Sequence, residues 1–215
     1  MQFLTDNFPL LRDAFLTTLG LSLLAGLVAL VLGTVLAAMR VSPITPLRGL
    51  ATFYVETFRN TPLTVVFFFI IFGLPQIDFV VGFFPGAVVA VGMYTAAFVA
   101  EALRSGINAV GPGQAEAARA IGLTFGQSLR EVVLPQAFRT VVPPLGNVWI
   151  AMVKNTSIAA GFATTELAAT LPRLANANAG DILLILVAVV VGYMLITVPS
   201  AYGIHHVERR VAILR

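Results

Sequence analysis

The sequence predicts an all-α membrane protein with five transmembrane helices. Two observations carry that class. The 215-residue chain is 58% hydrophobic, with a mean hydropathy of +0.93, whereas soluble domains are roughly 45–50% apolar. Its charges, 11% of residues, fall between long uncharged runs. In lipid every backbone polar group must be satisfied by the protein, and a helix does this within one segment.

Each element follows from those runs, since a span needs about 20 mostly apolar residues. Residues 14–39 form an uncharged run of 26, 60–77 one of 18, 79–100 one of 22 and 182–207 one of 26. Residues 140–153 supply only 14, so the fourth span runs on through Lys154 toward Ala163. Pro143 and Pro144 suit its first turn, where N–H groups have no helical partner. The spans are placed at about 14–39, 54–77, 79–103, 143–163 and 182–205. The first run is flanked by Asp6 and Asp13 and is too long for the apolar core of a cleavable signal, so it is expected to be retained. There is no cysteine, which excludes disulfides and thiolate metal sites.

Arginines orient the spans. Arg40, Arg48, Arg104, Arg119, Arg130, Arg139, Arg209, Arg210 and Arg215 fall on one side, and Arg12 and Arg173 on the other. The arginine-rich side is cytoplasmic, so the C-terminus is expected inside and the N-terminus outside. Tyr202, His205, Arg209 and Arg210 are expected to anchor the tail at the cytoplasmic interface.

The long cytoplasmic loop, about 111–135, contains "GPGQAEAARAIGLTFGQSLREVVLPQAFR". A turn at 111–113 precedes a helix over 114–121, ended by Gly122 in the left-handed conformation of a C-cap. Thr124 then caps a second helix, 125–133, with Pro135 beyond it. Exposed small and apolar residues on such a knob fit a groove on a partner.

Lys154, the sole lysine, interrupts an apolar stretch. A lysine at the centre of a span costs about 2.5–3.5 kcal/mol. Counted from Pro143, it lies about 15 Å along the helix, near the bilayer midplane. Three readings stand: snorkelling to the interface, a structural ion pair with Glu101 or Glu56, or an anion-receiving group facing a water-accessible path. Arg59, Asn60, Thr61 and Pro62 bear on the third, because irregular backbone at membrane depth lines protein or a cavity. Lys154 and Arg59, helped by Asn155, Ser157, Asn60 and Thr61, then suit a carboxylate, and Glu101 or Glu166 an ammonium. His205 and His206 are adjacent and cannot share a helical face, so no metal site is expected. Nothing forms a nucleophile, base and orienting group.

Glu116-Ala117-Ala118, Gly122 and Leu134-Pro135 resemble the EAA loop of ABC importer permeases, with Val132 where that family has isoleucine. The stretches "EALRSGINAVGPGQ", "RNTPL" and "KNTSI" look like the polar amino-acid branch. "RNTPL" and "QAEAAR" also resemble glutamate permease subunits, with Phe58 departing from their pattern. The resemblance covers nearly the whole chain. It implies a type I importer permease of a bacterial plasma (inner) membrane, moving polar amino acids, glutamate or another acidic one first, by alternating access.

The implied coupling residues are Glu116, Ala117, Ala118, Gly122, Leu134 and Pro135. The implied partners are a cytoplasmic ABC ATPase dimer, a second permease subunit and an extracytoplasmic amino-acid-binding protein, within membrane lipid; no nucleic acid and no cofactor is expected. Asp78, Glu166 and Arg173 lie on loops that the binding protein would touch. Independently, a P-loop needs a lysine after its glycine-rich turn, and Lys154 follows Met152 and Val153, so ATP hydrolysis falls to another subunit. An ion-coupled carrier or channel subunit is the alternative; the short chain and the lack of an internal repeat weigh against it.

Overall fold

The computed structural model describes residues 2–211; Arg215, counted above for orientation, lies outside them. Every regular element among the described residues is helical. Helix α1, Gln2–Val41, is a single helix of 40 residues, so it starts well before the uncharged run does. Helix α2, Thr45–Arg59, ends at the Asn60–Thr61–Pro62 break. Helix α3, Leu63–Phe68, continues as a π turn and a 3-10 turn to Ile77. The two halves meet at 105°, so the expected span over 54–77 is bent near its start. Pro62 has no N–H to continue α2 and takes an extended conformation instead.

Helix α4, Phe83–Asn108, packs along α1. The two run parallel: Gly20 faces Phe84, Val28 meets Gly92, and Arg40 meets Glu101. The contact is very close. A Cβ on Gly33 would lie 2.6 Å from Val99 and 2.9 Å from the Ala96 carbonyl oxygen. Small residues permit such approach where lipid offers no hydrophobic drive between helices. Ala51 and Val55 of α2 fill the crook between α1 and α4, against Ala96, Ala97 and Ala100.

The segment over 111–135 departs from expectation. Helix α5, Pro112–Ala120, is followed by α6, Phe125–Gln127, which passes through a π turn, Ser128–Val133, directly into α7, Leu134–Asn155. Pro135 therefore lies in the first turn of α7 rather than after a separate helix. Pro143 and Pro144 lie inside α7, not at its start. The α-helix stops one residue after Lys154, and a 3-10 turn, Thr156–Phe162, carries the chain to Ala163 in the left-handed region. Helix α8, Thr170–Ala177, precedes α9, Ile182–Val211, which packs on α7.

Among the described residues, three helices are long and apolar enough to cross a membrane, and the bent α2–α3 pair would make a fourth. Helix α7, with Arg139, Asn147 and Lys154 along it, is not among them.

Candidate functional site

The α2–α3 break is held by its own side chains. The Asn60 backbone N–H donates to the Glu56 carbonyl at 3.2 Å, and its amide donates to the same oxygen at 2.8 Å. Thr61 Oγ1 donates to the Thr57 carbonyl at 2.7 Å. These side chains meet carbonyls of the last turn of α2, where the helical ladder ends before Pro62. Thr61 also lines an apolar groove of about 420 Å³ with Thr57, Phe58, Val66 and Met93.

Arg59, the last residue of α2, turns to Glu101 on α4. Glu101 is the hub of three arginines. Arg40 Nη1 donates to Oε2 at 2.5 Å and Arg104 Nη2 to Oε1 at 2.5 Å. Arg59 Nη1 stands 3.5 Å from Oε2. Sequence reasoning placed Arg59 and Glu101 among the candidates but missed Arg40 and Arg104. The Glu101–Arg104 spacing of three is readable as a helical pair; Arg40 joins only because α1 and α4 run parallel.

Lys154 lies in the last turn of α7, where a cation suits the negative end of the helix dipole. Its side chain is exposed and forms no ion pair among the described residues. Asn147, seven residues earlier, is exposed as well. Asn155 lines a small cavity of about 180 Å³ with Tyr94, Thr95 and Phe98 of α4. Ser157 Oγ donates to the Lys154 carbonyl at 2.7 Å. Arg59 and Lys154 thus sit on different elements with no common partner.

Glu166 is fully buried, so it is not a loop residue that a partner touches. Its carboxyl accepts from the Ala169 N–H at 3.0 Å, from the Tyr193 hydroxyl, and meets Thr18 Oγ1 at 3.4 Å. Thr18 Oγ1 accepts in turn from the Leu167 N–H at 3.0 Å. Glu166 and the Leu167 N–H together tie the segment before α8 to α1 and α9. Asp78 and Arg173 remain exposed.

In the loop between α4 and α7, Gly122 has φ of 91°. The Leu123 N–H donates to the Ala118 carbonyl and the Gly122 N–H to that of Arg119, at 3.1 and 2.9 Å. This is the Schellman pattern that glycine at the following position allows. Thr124 and Gln127 form a reciprocal capping box. Ala118 is buried, while Glu116, Ala117, Leu134 and Pro135 are exposed. Ile121 and Phe125 are 80% and 77% exposed, an apolar tip that none of the described residues covers. At the tail, Arg209 Nε donates to His205 Nε2 at 3.0 Å.

The chain belongs to the family of binding-protein-dependent transport system inner membrane components, which it matches over residues 29–213. It is 42% identical to the glutamate transport system permease protein GluC of Corynebacterium glutamicum, over 97% of this chain and 96% of that one. It is 38% identical to the probable glutamine ABC transporter permease protein GlnM of Bacillus subtilis, over 98% and 97%. Its fold superposes on the crystal structure of an amino acid ABC transporter with histidines, with a TM-score of 0.89, 31% identity and 96% coverage of both chains. The chain is thus an ABC importer permease, a transport subunit and not an enzyme.

Proposed function

We propose that this chain forms, with a second copy or a related permease, the path of an ATP-driven importer that carries glutamate or another acidic amino acid into the cytoplasm. The observation that carries this reading is Lys154: a solitary ammonium on a largely apolar helix, exposed and without an ion-pair partner among the described residues. Placing that charge in a membrane has a cost, and a passing carboxylate is what recovers it. Arg59 offers a second cation at the helix break, helped by Asn60 and Thr61, while Asn155 and Ser157 supply hydrogen bonds beside Lys154. Glu101 belongs to the same polar set. The similarity to a glutamate permease protein supports an acidic substrate.

In this reading α1, the bent α2–α3 pair, α4, α7 and α9 cross the membrane, with the N-terminus outside and the C-terminus in the cytoplasm. An extracytoplasmic binding protein delivers the solute. The loop from Glu116 to Gly122, together with Leu134 and Pro135, docks on an ATPase dimer. ATP binding closes that dimer, the loops follow, and the path rocks from one opening to the other. The test is glutamate uptake by Lys154→Met in proteoliposomes holding the complete importer. A tenfold or larger loss, about 1.4 kcal/mol or more, is expected. Undiminished turnover and apparent affinity contradict the site.

A further inference from the structure

Glu101 is the carboxylate expected to meet a substrate ammonium, but three guanidiniums of this chain already meet it. Two of them hold it firmly, one on each oxygen, at 2.5 Å. Arg59 approaches the oxygen that Arg40 occupies and reaches only 3.5 Å, beyond the roughly 2.7–3.2 Å of an N–H···O hydrogen bond. It is also the most exposed of the three, at 38% against 11% for Arg40 and 32% for Arg104. It ends α2 immediately before the chain turns by 105°. The most loosely held cation of the cluster is therefore the one at the break.

We propose that Glu101 is a positioning residue that parks Arg59, and that a substrate carboxylate takes Arg59 over from it. This rests on Arg59 receiving carboxylate, as in the function proposed above. Glu101 is then an internal competitor of the substrate, and Arg40 weakens that competition by sharing the oxygen Arg59 approaches and by placing a like charge beside it. The two have opposite effects on affinity.

L-glutamate binding to the purified permease–ATPase assembly, measured by calorimetry, separates the possibilities. Glu101→Gln removes the competitor, so Kd falls, by about fivefold for a half-exposed ion pair. Arg40→Gln frees Oε2 for Arg59, so Kd rises by a similar factor. Arg59→Gln raises Kd and abolishes both effects, so its double variant with Glu101→Gln binds as Arg59→Gln does. If Glu101→Gln does not fold, Arg40→Gln alone decides, because there Glu101 keeps Arg104 and Arg59. An ammonium-receiving Glu101 gives the reverse signs, Kd rising for Glu101→Gln and falling for Arg40→Gln, and overturns the proposal. So does an unchanged Kd in both variants while Arg59→Gln still weakens binding. An unchanged Kd in Arg59→Gln removes Arg59 from the substrate site itself.

Discussion

Glu166 holds three pieces of chain together with one carboxyl. It joins Thr18 of α1, Tyr193 of α9 and the Ala169 N–H of its own loop, and no cation pairs with it among the described residues. Its use is that of a hydrogen-bonding hub. Glu166→Ala leaves buried donors unmet, each costing about 1–3 kcal/mol, and is expected to lower the melting temperature of the purified assembly clearly. Glu166→Gln keeps an acceptor in place and is expected to retain most of that stability. Equal loss in both variants means that the charge, not the hydrogen bonding, is what matters. From the sequence this residue reads as a polar outer-loop position. Its burial depends on contacts 148 and 27 residues away, which no local pattern carries. The Arg40–Glu101 pair is hidden for the same reason, being set by how α1 and α4 align. Lys154 stands out in the sequence as a lone charge inside an apolar run, but its place in the last turn of α7 does not.

At the scale of elements, the caps were legible and the continuity was not. Gly122 and Thr124 have residue types that fit only a few backbone conformations, and both do what those types imply. Pro135, Pro143 and Pro144 read as helix boundaries, yet α7 begins at the first and runs through the other two. A proline in a helix frees carbonyls, and neighbouring helices, side chains or local π adjustment can take them up; here a π turn, Ser128–Val133, lies immediately before the first of these prolines. The consequence is mechanical. The segment from Phe125 to Asn155 is one unbroken helical rod, with the apolar tip at one end and Lys154 at the other. Gly122→Val puts a β-branched residue in the left-handed region, which costs about 1–2 kcal/mol or more. ATPase co-purification with that variant is expected to fall severalfold, and with Gly122→Asn to be largely retained, since asparagine tolerates that conformation. Equal ATPase yield in all three proteins removes the cap geometry from docking.

For the whole molecule, the uncharged runs marked the three described helices long and apolar enough to cross a membrane and the bent pair that would make a fourth, because lipid tolerates few charges, and the bend at Pro62 was marked by its own residue type. The parallel, glycine-tight pairing of α1 and α4 was not marked, since close approach is visible only once two helices are aligned. That pair forms the frame against which α2 and α7 pack, and the broken helix, the arginine hub and the cavity beside Asn155 all open from it. The frame contains no nucleotide-binding lysine, so on this account the energy for transport arrives through residues 116–122. The most direct test is L-glutamate uptake into proteoliposomes carrying this chain with its ATPase and binding protein, with and without deletion of 116–122. Uptake is expected to require ATP hydrolysis and to be abolished by the deletion. Uptake driven by an ion gradient in the absence of ATP, and unaffected by the deletion, would contradict it.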